Sequence, residues 1–281
     1  VFLQAAAQCG VPFNPDYNGT VQEGAAEPQV TQRDGWRWSS ARAFLNPVRS
    51  RANLHIETGV TVERLEFDGV RCTGVRLAAR GGDDALRRLA AGGEVVLAAG
   101  TLASPKILMH SGIGPAAVLQ QYGIPVRVAR DAVGADLQEL PNSLVCASVN
   151  VRTFNMDATP WRMFRNAVRW MFTGRGPASS PYPNAVAFLR SSPDEPRPDL
   201  QFLFGPFAFS FDERGVVPYL GPAVSIVFNT CRPQGRGRLT LRSADPAAPV
   251  RIEHALLAQP DDLRRQIAGS RIARRILQAP A

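Results

Sequence analysis

The 281-residue chain has four cysteines, three histidines, one lysine and no long apolar run. Each shortage excludes something. Cys9, Cys72, Cys146 and Cys231 stand far apart with no paired spacing, which argues against a zinc site or a disulfide framework. Reduced, mostly buried thiols fit that pattern and predict a cytoplasmic protein. His55, His110 and His254 have no acidic or cysteine neighbours at ligand spacing, so no metal site is expected. No apolar stretch is long enough to span a bilayer, and no transmembrane segment is expected. The opening residues, VFLQAAAQCGVPFNPDYNG, carry neither a basic region nor a small-residue cleavage site, so they do not read as a signal peptide.

The single lysine is Lys106, so the net charge of +8 is carried almost wholly by arginine. A nucleic-acid-binding protein concentrates such charge in a patch or stripe. Here the arginines are scattered, and no nucleic-acid partner is expected. Their densest cluster is Arg264, Arg265, Arg271, Arg274 and Arg275. It reads as a solvated helix face, with a partner surface as the alternative. At 45% hydrophobic and 20% charged residues the composition is globular, and the length suits one large domain or two ordinary ones. The chain begins with Val1, inside what reads as an amphipathic helix closed by Gly10. It ends in another, with Leu263, Ile267, Ile272 and Ile276 at helical spacing. Both ends read as cut from a longer protein.

Between them the texture changes once. NLHIETGVTVERLEFDG alternates apolar and polar residues and turns at Asp68-Gly69, a hairpin signal. VRCTGVRLAA is its return strand, and RGGDDALRRLAAGG a polar link. EVVLAAG is short, apolar and uninterrupted, as suits a strand covered on both faces. Two short helices and a strand-like IPVRVA follow. Beyond Pro141, SLVCASVNV, NAVAFLR, DLQFLFGPF, AVSIVFN and GRLTLRS read as an antiparallel sheet with helices. The helix from Trp161 to Phe172 has an aromatic and methionine stripe, read as core with one or two residues facing a cavity.

Ala98, Ala99 and Gly100 place the smallest side chains where a strand meets a helix. Such a corner either admits a ligand close to the backbone or lets the helix pack tightly on a sheet. In open α/β sheets ligands sit beyond the carboxyl ends of strands. Ser104 is placed to cap the next helix, Pro105 suits its first turn, and Gly112 suits its end. Free N–H groups at such a helix start suit an anion. GIGPAA, from Gly112, imitates a dinucleotide fingerprint. A helix precedes it where the fingerprint needs a strand, so Gly112 and Gly114 read as turn glycines.

The run GTLASPKILMHSGIG, Gly100 to Gly114, resembles the second signature of the glucose–methanol–choline (GMC) family of flavin oxidoreductases. Its defining positions are filled by Gly100, Thr101, Ser104, Pro105, Ile107, Leu108, Ser111, Gly112, Ile113 and Gly114. NPDYNG, QEGA and RDGWRWSSARAFLNP look like that family's approach to the flavin site, and VGADLQEL like its linker. TGRGP and GRGRLTLRSADP look like its substrate domain.

The resemblance implies an α/β plus α+β fold. Residues 1–140 would form part of an FAD-binding, Rossmann-like domain, and 141–281 part of a substrate domain with an antiparallel sheet and flanking helices. It implies FAD as cofactor, held by Val62, Ala98, Ala99, Gly100 and Ser104. The reaction implied is oxidation of a primary or secondary alcohol, a small-molecule CH–OH donor, by hydride transfer to flavin in a dehydrogenase or oxidase. The family's glycine-rich pyrophosphate turn, ribose-gripping acid and catalytic-histidine segment have no counterpart here. No catalytic residue is therefore assigned, and the chain alone is expected to be inactive. Among that family's enzymes the resemblance is to the alcohol (choline-like) dehydrogenases and oxidases; at the linker Glu139-Leu140 stands where family members usually carry Asp-His, a different active-site wall or simple drift, which weakens the case for choline-like substrates. The alternatives are a flavin-containing lyase on the same scaffold and an inactive, truncated or basic binding module.

Overall fold

The computed structural model describes residues 1–79, 87–213 and 215–281. In chain order its principal elements begin with α1 (Phe2–Gln8), β1 (Gly24–Ala26), β2 (Val60–Asp68), β3 (Arg71–Ala79) and β4 (Arg87–Ala90). Next come α2 (Gly100–His110), β5 (Ile113–Gly114), α3 (Ala116–Gln121), β6 (Val128–Ala129), β7 (Asn142–Ser148) and α4 (Pro160–Thr173). The last are β8 (Ala185–Leu189), β9 (Leu200–Gly205), β10 (Ala223–Thr230), β11 (Arg238–Thr240), β12 (Arg251–Glu253) and α5 (Pro260–Leu277).

Contacts gather these elements into two units. One holds Val1–Arg51, Leu140–Gln234 and Leu257–Ala281; the other holds Ala52–Glu139 and Gly235–Leu256. The passage at Glu139–Leu140 lies beside the boundary expected near Pro141. The chain also crosses between units at three other points, so they are interleaved rather than consecutive halves. The reason is visible in β11. Leu239, with Leu241 just beyond the strand, buries against Met109 and Leu119, and the Leu239 N–H donates to the Gly134 carbonyl. The segment GRGRLTLRSADP therefore packs with α2 and α3, not with the large antiparallel sheet.

That sheet forms the first unit, with strand order β1-β8-β9-β10-β7 and every neighbour antiparallel. Alternation sends Ala185, Ala187, Leu200, Phe202, Ile226 and Phe228 to one face, where α1 and α5 cover them. Phe202 and Phe228 stack at 5.8 Å between ring centres. Each contributes about 1.5–3 kcal/mol by burial. Val186, Phe188 and Leu203 point to the other face, against Tyr17.

Helix α5 settles on the sheet through a face that its apolar spacing indicates only in its last turns, where Ile276 is buried and Ile272 packs against the core. Leu263 and Ile267 are exposed, while Asp262, Gln266, Gly269, Ala273 and Ile276 are buried. Polar partners account for this. Both Asp262 carboxylate oxygens accept from the Gln234 N–H, and the Gln266 amide donates to the Pro141 carbonyl and the Thr230 hydroxyl. A Cβ on Gly269 would lie 2.6 Å from the Phe228 ring, so the ring sits on bare helix backbone.

Arg265 is no part of a solvated face either. It reaches Asp199, Glu195 and Asp261 at 3.1, 3.4 and 2.9 Å. Asp199 is only 2% exposed and also accepts from the backbone N–H and hydroxyl of Ser191.

The second unit is built on a meander, β2-β3-β4. The hairpin turn falls at Gly69-Val70, with Asp68 opposite Arg71 and Gly69 at φ +56°. Two expected strands are shorter or missing. Residues 53–59 do not join β2, and among the described residues Glu94–Ala99 pairs with no strand and is largely exposed, with Val96 78% accessible. An apolar run without a ladder neighbour lacks the pairing that makes it a strand, and it remains extended coil. Part of the expected polar link, residues 80–86, lies outside the described residues; Arg87–Ala90 is strand β4. Between the named strands, parallel pairing joins β5 to β6. Gly112 sits between α2 and β5 at φ +80°, and a Cβ there would lie 2.4 Å from the Pro125 carbonyl. It is a turn glycine, whereas Gly114, expected to be another, lies within β5 and pairs with Ala129.

The thiols are less buried than expected. Cys9 is exposed, and Cys72, Cys146 and Cys231 are half-buried; all four are free. Among the described residues no helix is long and apolar enough to cross a membrane.

Candidate cofactor corner at the start of helix α2

The five residues expected to hold the cofactor all lie in the second unit. Val62 is half-buried on β2, which packs against α2. Ala98, Ala99 and Gly100 form the exposed corner at the start of that helix. Gly100 has φ +85°, and a Cβ placed on it would meet nothing within 4 Å. The positive φ requires glycine, and the space beside it is open.

Ser104 does not cap α2 in the way its position suggested. The helix begins at Gly100, which places Ser104 and Pro105 inside it. The Ser104 hydroxyl turns back and accepts from the Ala99 N–H at 3.1 Å. It thereby occupies one donor of the corner and fixes the bend. The N–H groups of the helix's first turn, at Gly100, Thr101 and Leu102, have no intrahelical partner. They carry the positive end of the helix dipole.

A clamp that the sequence reading left without a role joins β2 to α2. Between Val62 and Arg64 the pairing of β2 with β3 shifts register, leaving Glu63 as an extra residue. Such a bulge re-aims the strand. Just beyond it the Leu65 N–H donates to the Ser111 hydroxyl at 2.8 Å, and that hydroxyl donates to the Ile107 carbonyl at 2.6 Å. Ser111 thus ties the strand bearing Val62 to the helix bearing the corner. Its position in the signature was the signal; its bond to another strand was not readable from spacing.

None of the histidines has an obvious catalytic setting. His55 and His254 are exposed. His110 is 8% exposed, and its Nε2 has no hydrogen-bond partner among the described residues. Burial lowers its pKa below the usual imidazole value and Lys106 adds to that, while Asp245 opposes it. His110 also lines a cleft of about 580 Å³ with Arg64, Phe67, Pro125 and Arg127. None of the five residues expected to hold the cofactor lines that cleft.

In the first unit a cavity of about 650 Å³ opens beside the sheet, lined by Tyr17, Gln32, Trp170, Tyr182, Gln201 and Leu203 among others. Trp170 is the one residue of the aromatic helix lining it. The rest of that helix is not core: none of its residues is buried.

The family model described as GMC oxidoreductase matches over residues 1–142, and its C-terminal counterpart over residues 233–281. An alcohol dehydrogenase (acceptor) of Pseudomonas putida is 35% identical, covering 100% of this chain and 50% of its own length. An oxygen-dependent choline dehydrogenase of Sinorhizobium medicae (strain WSM419) is also 35% identical, over 93% of this chain and 47% of its own. The chain therefore spans about half the length of the curated relatives it matches.

Among solved structures, pyridoxine 4-oxidase from Mesorbium loti superposes with a TM-score of 0.81 at 25% identity, covering 99% of this chain and 50% of that one. A formate oxidase gives 0.87 at 23% identity, covering 98% and 52%, a likeness of fold. With its N-terminal half matched throughout by the family model and its last residues by the companion one, the chain belongs to the GMC oxidoreductase family.

Proposed function

We propose that the chain is part of an FAD-dependent oxidoreductase that oxidises a primary or secondary alcohol. The observation that carries this reading is the open corner Ala98–Gly100 at the start of α2, in a chain of this family. The corner fits a flavin dinucleotide on its own geometry. It combines a glycine at positive φ, empty space where a Cβ would stand, exposed methyl-sized neighbours and unpaired helix-start N–H groups.

On this reading the N–H groups of Gly100, Thr101 and Leu102 face the pyrophosphate, and Ala98 and Ala99 admit the ADP half. The Val62 backbone meets the adenine, and Ser104 holds the corner in shape. The flavin, when bound, supplies the hydride acceptor. What these residues do is bind and orient. The hydroxyl proton needs a base poised near neutrality, and we assign none within the chain, so activity belongs to the whole protein. The second unit is on the cofactor side, and the cavity beside Trp170 and Tyr182 is on the substrate side. Four free thiols support a cytoplasmic setting.

The test is spectroscopic. The intact flavoprotein, held without oxygen, is mixed with a panel of primary and secondary alcohols. Loss of the oxidised-flavin absorption with at least one of them is the expected result. Cleavage of a cyanohydrin, with no bleaching by any alcohol, would replace this reading by a lyase.

A further inference from the structure

Helix α4 carries a face that the rest of its unit leaves bare. Trp161, Phe164, Val168, Met171 and Phe172 recur at helical spacing and form one stripe. Trp161, Phe164, Met171 and Phe172 are 70%, 60%, 62% and 84% exposed. Burial is what normally stabilises such a face, so its exposure needs a partner.

The helix is not loosely held. Its opposite side is anchored by Trp170, whose ring lies 4.0 Å from that of Trp36 and whose indole N–H donates to the Gly35 carbonyl at 2.8 Å. Gly35 and Gly174 pack backbone to backbone, so closely that a Cβ on Gly35 would lie 1.8 Å from the Gly174 carbonyl. Arg162 adds a bond to the Met156 carbonyl. The anchoring turns the apolar stripe outward.

The charges flanking the stripe indicate its partner. The helix sequence PWRMFRNAVRWMFT contains three arginines and no acidic residue. Arg165 lies next to the stripe on the helix surface, where a long basic side chain can lay its stem on apolar surface and keep its charge in the headgroup layer. A second copy docking symmetrically through this face would set arginines against arginines. An exposed aromatic stripe with arginines along its flank describes a helix that lies in a membrane interface without crossing it.

We propose that the Trp161–Phe172 face of α4 seats on an anionic lipid surface, with the stripe in the acyl boundary and the exposed Arg165 and Arg169 toward the phosphates. The seat is peripheral, and it does not depend on the redox reading above.

The experiment is co-sedimentation of the intact protein with vesicles of phosphatidylcholine alone and of phosphatidylcholine mixed with phosphatidylglycerol. Binding to the mixed vesicles, weakened by salt, is expected. The Phe164→Glu/Phe172→Glu variant, changed only at exposed positions, should lose about tenfold or more in partitioning. Arg165→Gln should lose about fivefold on the anionic vesicles. Failure of the wild type to sediment with anionic vesicles at low salt would overturn the proposal, as when another part of the protein or a second copy covers the stripe. Sedimentation unchanged in the double glutamate variant would overturn it equally.

Discussion

Replacing Ser111 by alanine separates a clamp from mere filler. The hydroxyl accepts from Leu65 N–H at 2.8 Å and donates to the Ile107 carbonyl at 2.6 Å. The losses are unequal. The Ile107 carbonyl still accepts from the Ser111 N–H at 3.0 Å. The Leu65 N–H, beside the bulge in β2, loses the Ser111 acceptor. An orphaned buried donor costs about 1–3 kcal/mol. Leu65 is only half-buried, so the lower half of that range applies, about 1–2 kcal/mol.

The chain forms two units, so a single unfolding midpoint would blur the effect. Amide hydrogen exchange reads it locally. In Ser111→Ala the Leu65 amide should exchange about 5–30-fold faster, while amides in β8 and β9 of the first unit stay unchanged. Ser111→Thr, which keeps the hydroxyl, should recover part of the protection. Unchanged exchange at Leu65 in the alanine variant would refute the clamp. Equal acceleration in both units would show that Ser111 matters for global stability rather than for this joint.

Two further outcomes follow from buried charge. Arg265→Met removes the cation facing Asp199, Glu195 and Asp261 and leaves Asp199 buried and uncompensated. A loss of about 3–5 kcal/mol for the first unit is expected in urea denaturation followed by its own tryptophans, and adding Asp199→Asn should restore part of it. His110 gives a pH dependence whose sign is fixed. Its folded pKa lies below the unfolded value of about 6.5 because burial, then Lys106, disfavours the imidazolium. Its contribution is fully present above that value and falls away as pH drops from about 6.5 toward the folded pKa, since the unfolded state binds the proton first. His110→Gln should flatten that limb of the second unit's stability curve; a limb of unchanged slope would assign it to other groups.

The parts of the fold legible in the sequence were those set by local chemistry. The hairpin turn, one residue later than Asp68-Gly69, the Gly112 stop and the antiparallel strands beyond Pro141 follow from φ preferences and from short apolar runs bounded by turn residues. What was hidden depended on partners far along the chain. EVVLAAG has the composition of a buried strand, yet composition cannot say whether a neighbouring strand pairs with it. Leu263 and Ile267 have the spacing of a core face, but Asp262 and Gln266 take that place because Gln234, Pro141 and Thr230 satisfy them. The Trp161–Phe172 stripe reads as core from periodicity alone, and only the anchoring of Trp170 on Trp36 shows which side is held. At the cofactor corner the small residues were readable, whereas the turned-back Ser104 hydroxyl and the Ser111 clamp were not, because both need three-dimensional neighbours.

The measurement that bears most directly on the account is the FAD content of the purified intact protein and of its Ala99→Leu variant. Ala99 is exposed, so a leucine there leaves the fold intact and fills the space through which the cofactor is proposed to approach. The account predicts flavin in the wild type and a loss of affinity of about tenfold or more in the variant, equivalent to about 1.4 kcal/mol, with unaltered exchange in α2. Equal flavin content in the two proteins would contradict it and move the cofactor away from this corner.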